Sequence, residues 1–471
     1  MNRDDFVRTT RRTFMSRSIR TAGVVCAASA PFQIASGQDR GVLQAGEGVV
    51  EITPPMGIEL AGFHKPEGSE RRIEGIRKTV AVRALVMRHG ESSCAILSID
   101  ILGVSRAMAR RLGAAVEART GIPAANVRLC ATHTHSMPTF KYLRQWGAIS
   151  DDYMKTVEGN AIDAVVMAIE DIDPVELHIG KSNTEGANFN RTVPTWKTDT
   201  DFEADSSDND RWLDTTLHVL RFDRAGEKKP LIWYHFSSHP VCYADAQAGP
   251  DWCGLVDDLV KSRFGVTPSF LQGHAGDVNP GDGDPWRGEA EQSASAVFAG
   301  IEDAMNHLRP VSANSLRMFT QEFAVPYDMV LLDKWMDQYR TDPSACTSGP
   351  WVDEGFSKAW FDANDGRTAD PASLPISLSV LQLGDIALAF HPSELFSYYG
   401  LRIRYDSPFA DTLVVGYTDD FIGYLSDPNA YEKGEYAAVV VPKILDYPPF
   451  TTTAAAAMTA SLFRMLNEAA G

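Results

Sequence analysis

The sequence lacks any run of the roughly 18 to 20 apolar residues that a membrane-crossing helix requires, which excludes a chain threaded through a bilayer by helices. Positive charge is also short: 44 Lys and Arg stand against 62 Asp and Glu, giving a formal charge of −18 and a pI near 5.1. Nucleic-acid binding rests on Lys and Arg neutralising phosphates, so that class of partner is excluded as well. Cysteine is scarce, six residues with no CxxC spacing, which argues against a disulfide framework or a cysteine metal cluster. Cys94, Cys130, Cys242, Cys253 and Cys346 fall mostly in apolar, strand-like runs and read as buried thiols. There is no internal repeat and no convincing linker. What remains is a long acidic chain of 471 residues, 44% hydrophobic, with ample material for a large core.

The N-terminus departs from this acidic character. Thr10-Arg11-Arg12-Thr13-Phe14-Met15 precedes the weakly apolar run Thr21 to Phe32 and the small residues Ala35-Ser36-Gly37. That order of basic segment, apolar segment and small-residue site is the layout of a twin-arginine export signal over residues 1–37. The expectation is a periplasmic or secreted protein with Cys26 removed and a still more acidic mature chain, 38–471.

Strand-like and helix-like segments alternate along that chain, predicting an α/β fold with mixed sheets flanked by helices in one large domain. Arg83 to Met87 and Ser93 to Ile99 flank a His89-Gly90 turn, Ser105 caps a helix ending near Gly121, and Val127 to Thr132 is the next strand. Asp152 to Ile169 reads as a helix, Leu217 to Phe222 with Leu231 to Ser238 as a hairpin, and Ser269 to Gln272 as a short strand. A long helix covers Glu289 to His307. Beyond it come a hairpin from Ser377 to Phe390, a helix from Ser393, a strand Thr412 to Val415 and a terminal helix from Thr453. The acidic stretch Asp199 to Asp210 and the Pro-, Asp- and Gly-rich Thr341 to Pro375 read as surface excursions or lids.

The chemistry collects at strand ends. His133 and His135 are two residues apart where the strand Val127 to Thr132 runs out, so both can face one cavity, half of a zinc site. An HxH pair alone is equally compatible with satisfied core histidines. Three further segments end alike, a hydrophobic strand running into polar residues: Phe236-Ser237-Ser238-His239-Pro240, Phe270 through Gly276-Asp277-Val278-Asn279-Pro280, and Phe390-His391-Pro392-Ser393-Glu394. In open α/β sheets such strand ends are where sites assemble. His235 shares a strand face with His239, but four residues along a strand is about 13 Å, too far for one metal, which favours a packed core histidine. His274 and His391 adjoin the same loops and could orient ligands or cap turns.

These motifs carry a resemblance. Ala131-Thr132-His133-Thr134-His135-Ser136 is similar to the THTHSGP run of neutral ceramidases, and Gly276 to Pro280 to their GDVSP run. Asn188 to Arg191 resembles their NxNR segment, His239-Pro240 their second histidine, Pro392 to Glu394 their PGE, and Gly416 to Tyr436 their glycine-to-tyrosine stretch. The order is the family's, from Glu51-Ile52-Thr53-Pro54 to about Tyr436. The resemblance implies a Zn²⁺ ion on His133, His239, Glu394 and Tyr424, a donor set suited to zinc that leaves room for a water of lowered pKa. It implies Asp277 as general base, His135 as donor to the oxyanion or the leaving nitrogen, and Arg191 as the group holding a polar part of the substrate.

Two departures stand out. Asn279 occupies the position of the GDVSP serine, so no hydroxyl acts there, although an amide can still donate a hydrogen bond in the site. Met137 occupies the glycine of THTHSGP and is expected to reshape an acyl pocket. Gly471 follows soon after the terminal helix, so the C-terminal sandwich domain of full-length neutral ceramidases is expected to be absent. The expected activity is hydrolysis of an N-acyl, ceramide-like lipid to a sphingoid base and fatty acid, with peripheral membrane contact left open. The alternatives are a zinc hydrolase of another amide, ester or lactone, and a non-catalytic envelope protein binding lipid or glycan.

Overall fold

The computed structural model describes residues 41–342, 351–366 and 372–471. The expected export segment 1–37, Cys346 and parts of the stretch 341–375 lie outside the described residues.

Long apolar stretches with little alternation signal strands covered on both faces. Val127–Ala131, Leu231–Phe236, Ile386–Phe390 and Asp411–Val415 are buried at every position. They belong to two mixed sheets. The larger runs in the order Ser269–Gln272, Leu231–Phe236, Thr216–Arg224, Asp173–Asn183, Gln44–Glu51, Ala81–His89, Ser92–Ile99, Val127–Ala131. It is antiparallel in its middle and has one parallel pair at each end. The sheet curls until those ends meet: Ser98 Oγ donates to Phe270 O (2.6 Å) and Gln272 Nε2 to Thr132 O (3.2 Å). The smaller sheet orders Leu316–Pro326, Ser373–Leu383, Ile386–Phe390 and Asp411–Val415, its last pair also parallel.

An apolar core lies between the sheets, with Leu85, Ile96, Phe222 and Trp233 in one cluster with Leu381, Leu388 and Val415. Helices Trp252–Phe264 and Ala290–Asn306 cover the other face of the larger sheet at Val219, Ile232 and Phe270. The helix Asp151–Glu170 crosses strand Gln44–Glu51 so closely that a Cβ at Gly46 or Gly48 would lie 2.1 or 2.0 Å from a helix carbonyl oxygen, so only glycine allows the approach.

Most of the elements expected from local signals are present. Ser105 Oγ accepts from Met108 N and Gly121, at φ 79°, closes the helix Arg106–Thr120. The hairpins at 81–99, 216–236 and 373–390 form where expected. The helix expected from Ser393 begins only at Ser397, because Glu394 and Leu395 pair in parallel with Tyr424 and Leu425. The acidic stretch at 199–210 is a surface excursion pinned to the body of the domain: Asp199 accepts from Thr215 N (2.9 Å) and Thr215 Oγ1 (2.7 Å), and Phe202 packs on Trp212. Cys94, Cys130 and Cys253 are buried free thiols, and Cys242 is half-buried. Among the described residues, no helix is long and apolar enough to cross a membrane.

Candidate metal centre

The parallel strands decide where the chemistry gathers. The chain leaves Val127–Ala131 into His133 and His135, Leu231–Phe236 into His239, Ser269–Gln272 into Asp277, Ile386–Phe390 into Glu394, and Asp411–Val415 into Tyr417 and Tyr424. Nitrogen atoms of His133, His135 and His239 lie within 4.8 Å of one another, in a buried group that could hold a metal ion. Glu394 joins them, its Oε2 3.1 Å from His239 Nε2 and 3.4 Å from His133 Nε2. Donors bound tetrahedrally at the usual zinc distances stand about 3.3 Å apart, so the residues present fit such an ion.

Two of the imidazoles are fixed for this task. His133 Nδ1 lies 2.7 Å from Leu102 O and His239 Nδ1 2.8 Å from Val278 O. Each carbonyl can only accept, so each Nδ1 carries the proton and each Nε2 turns a lone pair inward. His135 differs. Among the described residues its Nδ1 has no hydrogen-bond partner, and its Nε2 stands 3.2 Å from His133 Nε2. Phe63 packs edge-on against it at 5.2 Å, and Gly62, at φ 96°, passes so close that a Cβ there would lie 2.5 Å from Nδ1.

Electrostatics keep the group ready for a cation. Burial, followed by Arg191, pulls His239 down to about 3, and burial with the neighbouring imidazoles takes His135 well below its usual range, so both are neutral near pH 7. Burial pushes the Glu394 carboxyl up, while the His133 and His239 imidazoles beside it pull it below the usual carboxylate range. The Tyr424 phenol is raised by burial, against which Arg191 pulls.

Arg191 is a hub. Its Nη2 donates to Tyr424 Oη (2.6 Å) and Gly276 O (2.8 Å), and its Nη1 to Asn279 Oδ1 (3.1 Å). The other end of the Asn279 amide donates to Trp286 O at 2.7 Å. Asn279 thus bridges Arg191 to the loop carrying Trp286, a use of both amide ends that a serine cannot copy.

Asp277 is engaged differently from a free base. Its Oδ1 accepts from Ser397 N (2.8 Å) and Ser397 Oγ (2.7 Å), and its Oδ2 from Asn190 Nδ2 (2.8 Å). It anchors the start of helix Ser397–Tyr405 to the Asn188–Asn190 strand. Three protein donors occupy its oxygens, leaving Oδ2 one acceptor position for a reacting water. Met137 is fully buried within the apolar core, so it does not face an acyl pocket as expected.

The remaining histidines settle elsewhere. His235 bonds to Val414 O (2.9 Å), His274 pairs with Asp214 (3.0 Å), and His391 with Ser393 Oγ (3.0 Å). Sequence reasoning missed Tyr417, whose ring stacks on His133, and the Gly62-Phe63 segment behind His135. The glycine followed by an aromatic residue was the available signal for the latter. A cavity of about 450 Å³ opens beside Phe63 and Arg71, lined also by Leu60, Tyr142, Leu143 and Ile149.

A mixed α/β domain here brings imidazoles, a carboxylate and a phenol to one set of strand ends, a donor group that could hold a metal ion. Residues 43–248 match the family model "Neutral/alkaline non-lysosomal ceramidase, N-terminal". A neutral ceramidase of Mycobacterium tuberculosis is 23% identical over 84% of this chain and 73% of its own length. The crystal structure of neutral ceramidase from Pseudomonas aeruginosa matches with a TM-score of 0.68 at 18% identity, covering 91% of this chain and 74% of that one. A structure described as ceramidase complexed with C2 matches with a TM-score of 0.69 at 17% identity, over 90% and 75% of the two chains. The family-model match and the shared fold support a neutral-ceramidase-like hydrolase.

Proposed function

We propose that the protein is a zinc-dependent amide hydrolase that cleaves an N-acyl, ceramide-like lipid into a fatty acid and a sphingoid base. The observation that carries this reading is the convergence of His133, His239 and Glu394 at 3.1–3.4 Å, with Nδ1 of both imidazoles held by backbone carbonyls. His133, His239, Glu394 and Tyr424 would hold the ion, and Arg191, bonded to the phenol oxygen, favours its anionic form. When bound, zinc supplies Lewis acidity and activates water for attack on the amide carbonyl.

The chain's own residues do the rest. His135 is neutral and half-buried beside the ligands, and among the described residues no carbonyl holds its Nδ1, so it is the imidazole free to donate to the oxyanion or to the departing nitrogen. Asn279 and Arg191 hold one wall of the site, while Asp277 keeps helix Ser397–Tyr405 in place. The three-histidine grouping also supports a second donor set in which His135 replaces Tyr424. Export through the twin-arginine pathway belongs to the same reading, on the order of segments in residues 1–37.

The test is turnover and metal content of purified protein on N-acyl sphingoid amides, matched esters and lactones. About one zinc per chain with preferential amide cleavage supports the reading. Ester turnover with no amine released from the amides overturns the ceramidase assignment, and a protein that binds no metal overturns the enzyme.

A further inference from the structure

One row of aromatic rings runs outward from the donor group. Tyr424 stands 6.1 Å from Tyr436, Tyr436 5.7 Å from Trp351, and Trp351 5.7 Å from Trp286, measured between ring centres. The inner end is buried, with Phe396 also against Tyr424 at 6.3 Å. The outer end is open: Trp286 is 43% and Trp351 46% exposed. A single exposed indole on a surface needs no explanation, whereas two in contact that lead to a buried phenol form a continuous apolar path.

The outer end is held in register with the centre. Trp286 sits in the loop 281–288, where Gly281, Gly283 and Gly288 all have positive φ and Gly281 N donates to Ala187 O (2.9 Å). Asn279 ties the Trp286 carbonyl to Arg191, and Arg191 in turn bonds to Tyr424. The next residue, Arg287, lies 5.8 Å over Phe63, the ring packed on His135. The indoles are thereby fixed relative to the reacting groups rather than left on an independent flap.

We propose that Trp286 and Trp351, with Tyr436, form the track along which the substrate's acyl chain lies, and that Asn279 is the positioning residue that sets it. This rests on the amide-hydrolase reading and names the part of the substrate that the site selects. An extended hydrocarbon chain covers the half-exposed faces of both indoles, and each methylene buried there raises affinity by about two- to fourfold.

The experiment uses zinc-loaded full-length protein, with Trp286→Ala, Trp351→Ala, the double variant, and Trp286→Phe with Trp351→Phe as conservative controls. Calorimetry measures binding of dodecanoate and hexanoate, and kinetics compare kcat/KM for N-dodecanoyl and N-acetyl amides of one base. The double alanine variant is expected to lower the dodecanoyl-to-acetyl ratio at least tenfold and to erase the preference for dodecanoate, with the phenylalanine variants in between. Asn279→Ala is expected to lower the same ratio through KM. A ratio and a fatty-acid preference both unchanged in the double alanine variant overturn the proposal. So does a defect that appears only when the substrate is presented in phosphatidylcholine vesicles, which would make the indoles a membrane contact. If no N-acyl amide is cleaved at all, the hydrolase reading fails, while the dodecanoate measurement still decides the track.

Discussion

The Tyr417 ring stacks on the His133 imidazole, 4.3 Å between centres and 29° between planes, and both residues occupy left-handed backbone, at φ 53° and 65°. Non-glycine residues in that region cost about 1–3 kcal/mol each and persist only where their surroundings impose them. Here the imposition is visible: Ala131 N donates to Tyr417 O (3.1 Å), His133 N to Ile101 O (3.0 Å), and His133 Nδ1 is held by Leu102 O. The stack therefore aims the imidazole. Tyr417→Asn, which tolerates the backbone but removes the ring, is expected to weaken zinc retention by about two- to tenfold, the worth of one aromatic contact. Tyr417→Phe should retain the metal, because the Tyr417 hydroxyl has no partner among the described residues. Equal zinc dissociation constants for wild type and Tyr417→Asn would remove the aiming role.

The fixed imidazoles and the unpinned one should separate experimentally. His133→Ala and His239→Ala are expected to weaken zinc binding by more than about 100-fold, beyond the usual cost of losing only a ligand's hydrogen-bond partner. His135→Ala should keep about one zinc per chain and lose about 100-fold in kcat. Metal analysis beside turnover checks this, and loss of zinc from His135→Ala would favour the three-histidine donor set.

Asp277 gives a second separation. With Asn190 and Ser397 donating to both its oxygens, Asp277→Asn is expected to cost about 3 kcal/mol in unfolding stability, since an amide nitrogen would face donors in place of an acceptor. Residual turnover should follow the folded fraction. A kcat loss of about 100-fold with an unchanged denaturation midpoint would instead restore the general-base role.

Acid should act through the buried neutral histidines. Burial, the largest cause, lowers His235 to about 4, so the unfolded chain binds a proton there below pH ~6.5 that the folded chain refuses. Its contribution is complete above pH ~6.5 and declines as pH falls towards 4, on the order of 1 kcal/mol per pH unit. His235→Gln is expected to flatten that slope while preserving zinc binding, because His235 bonds to Val414 O and not to the donor group. Denaturant midpoints between pH 7 and 4 check it, and an identical slope in the variant would contradict the assignment.

Much of the fold was legible in order and type. Period, caps and turns located the helices Arg106–Thr120, Asp151–Glu170 and Ala290–Asn306 and the three hairpins. Strands Gln44–Glu51, Asp173–Asn183 and Leu316–Pro326 escaped, because glycines, charges and half-exposed positions blur their pattern. The pairing of Glu394 with Tyr424 was illegible for a different reason: a two-residue parallel contact between distant segments leaves no periodic trace.

By itself the sequence determined the chemistry on offer: which strand ends carry His, Asp, Glu and Tyr, and that His235, about 13 Å along its strand from His239, serves elsewhere. Only the tertiary structure decided the division of labour. Carbonyls of Leu102 and Val278 select two imidazoles, Ser397 and Asn190 claim the carboxylate of Asp277, and Asn279 reaches both Arg191 and Trp286. Residue type is a local property, but lone-pair direction and donor saturation depend on groups 31 to 120 positions away in the chain, and only folding brings those together.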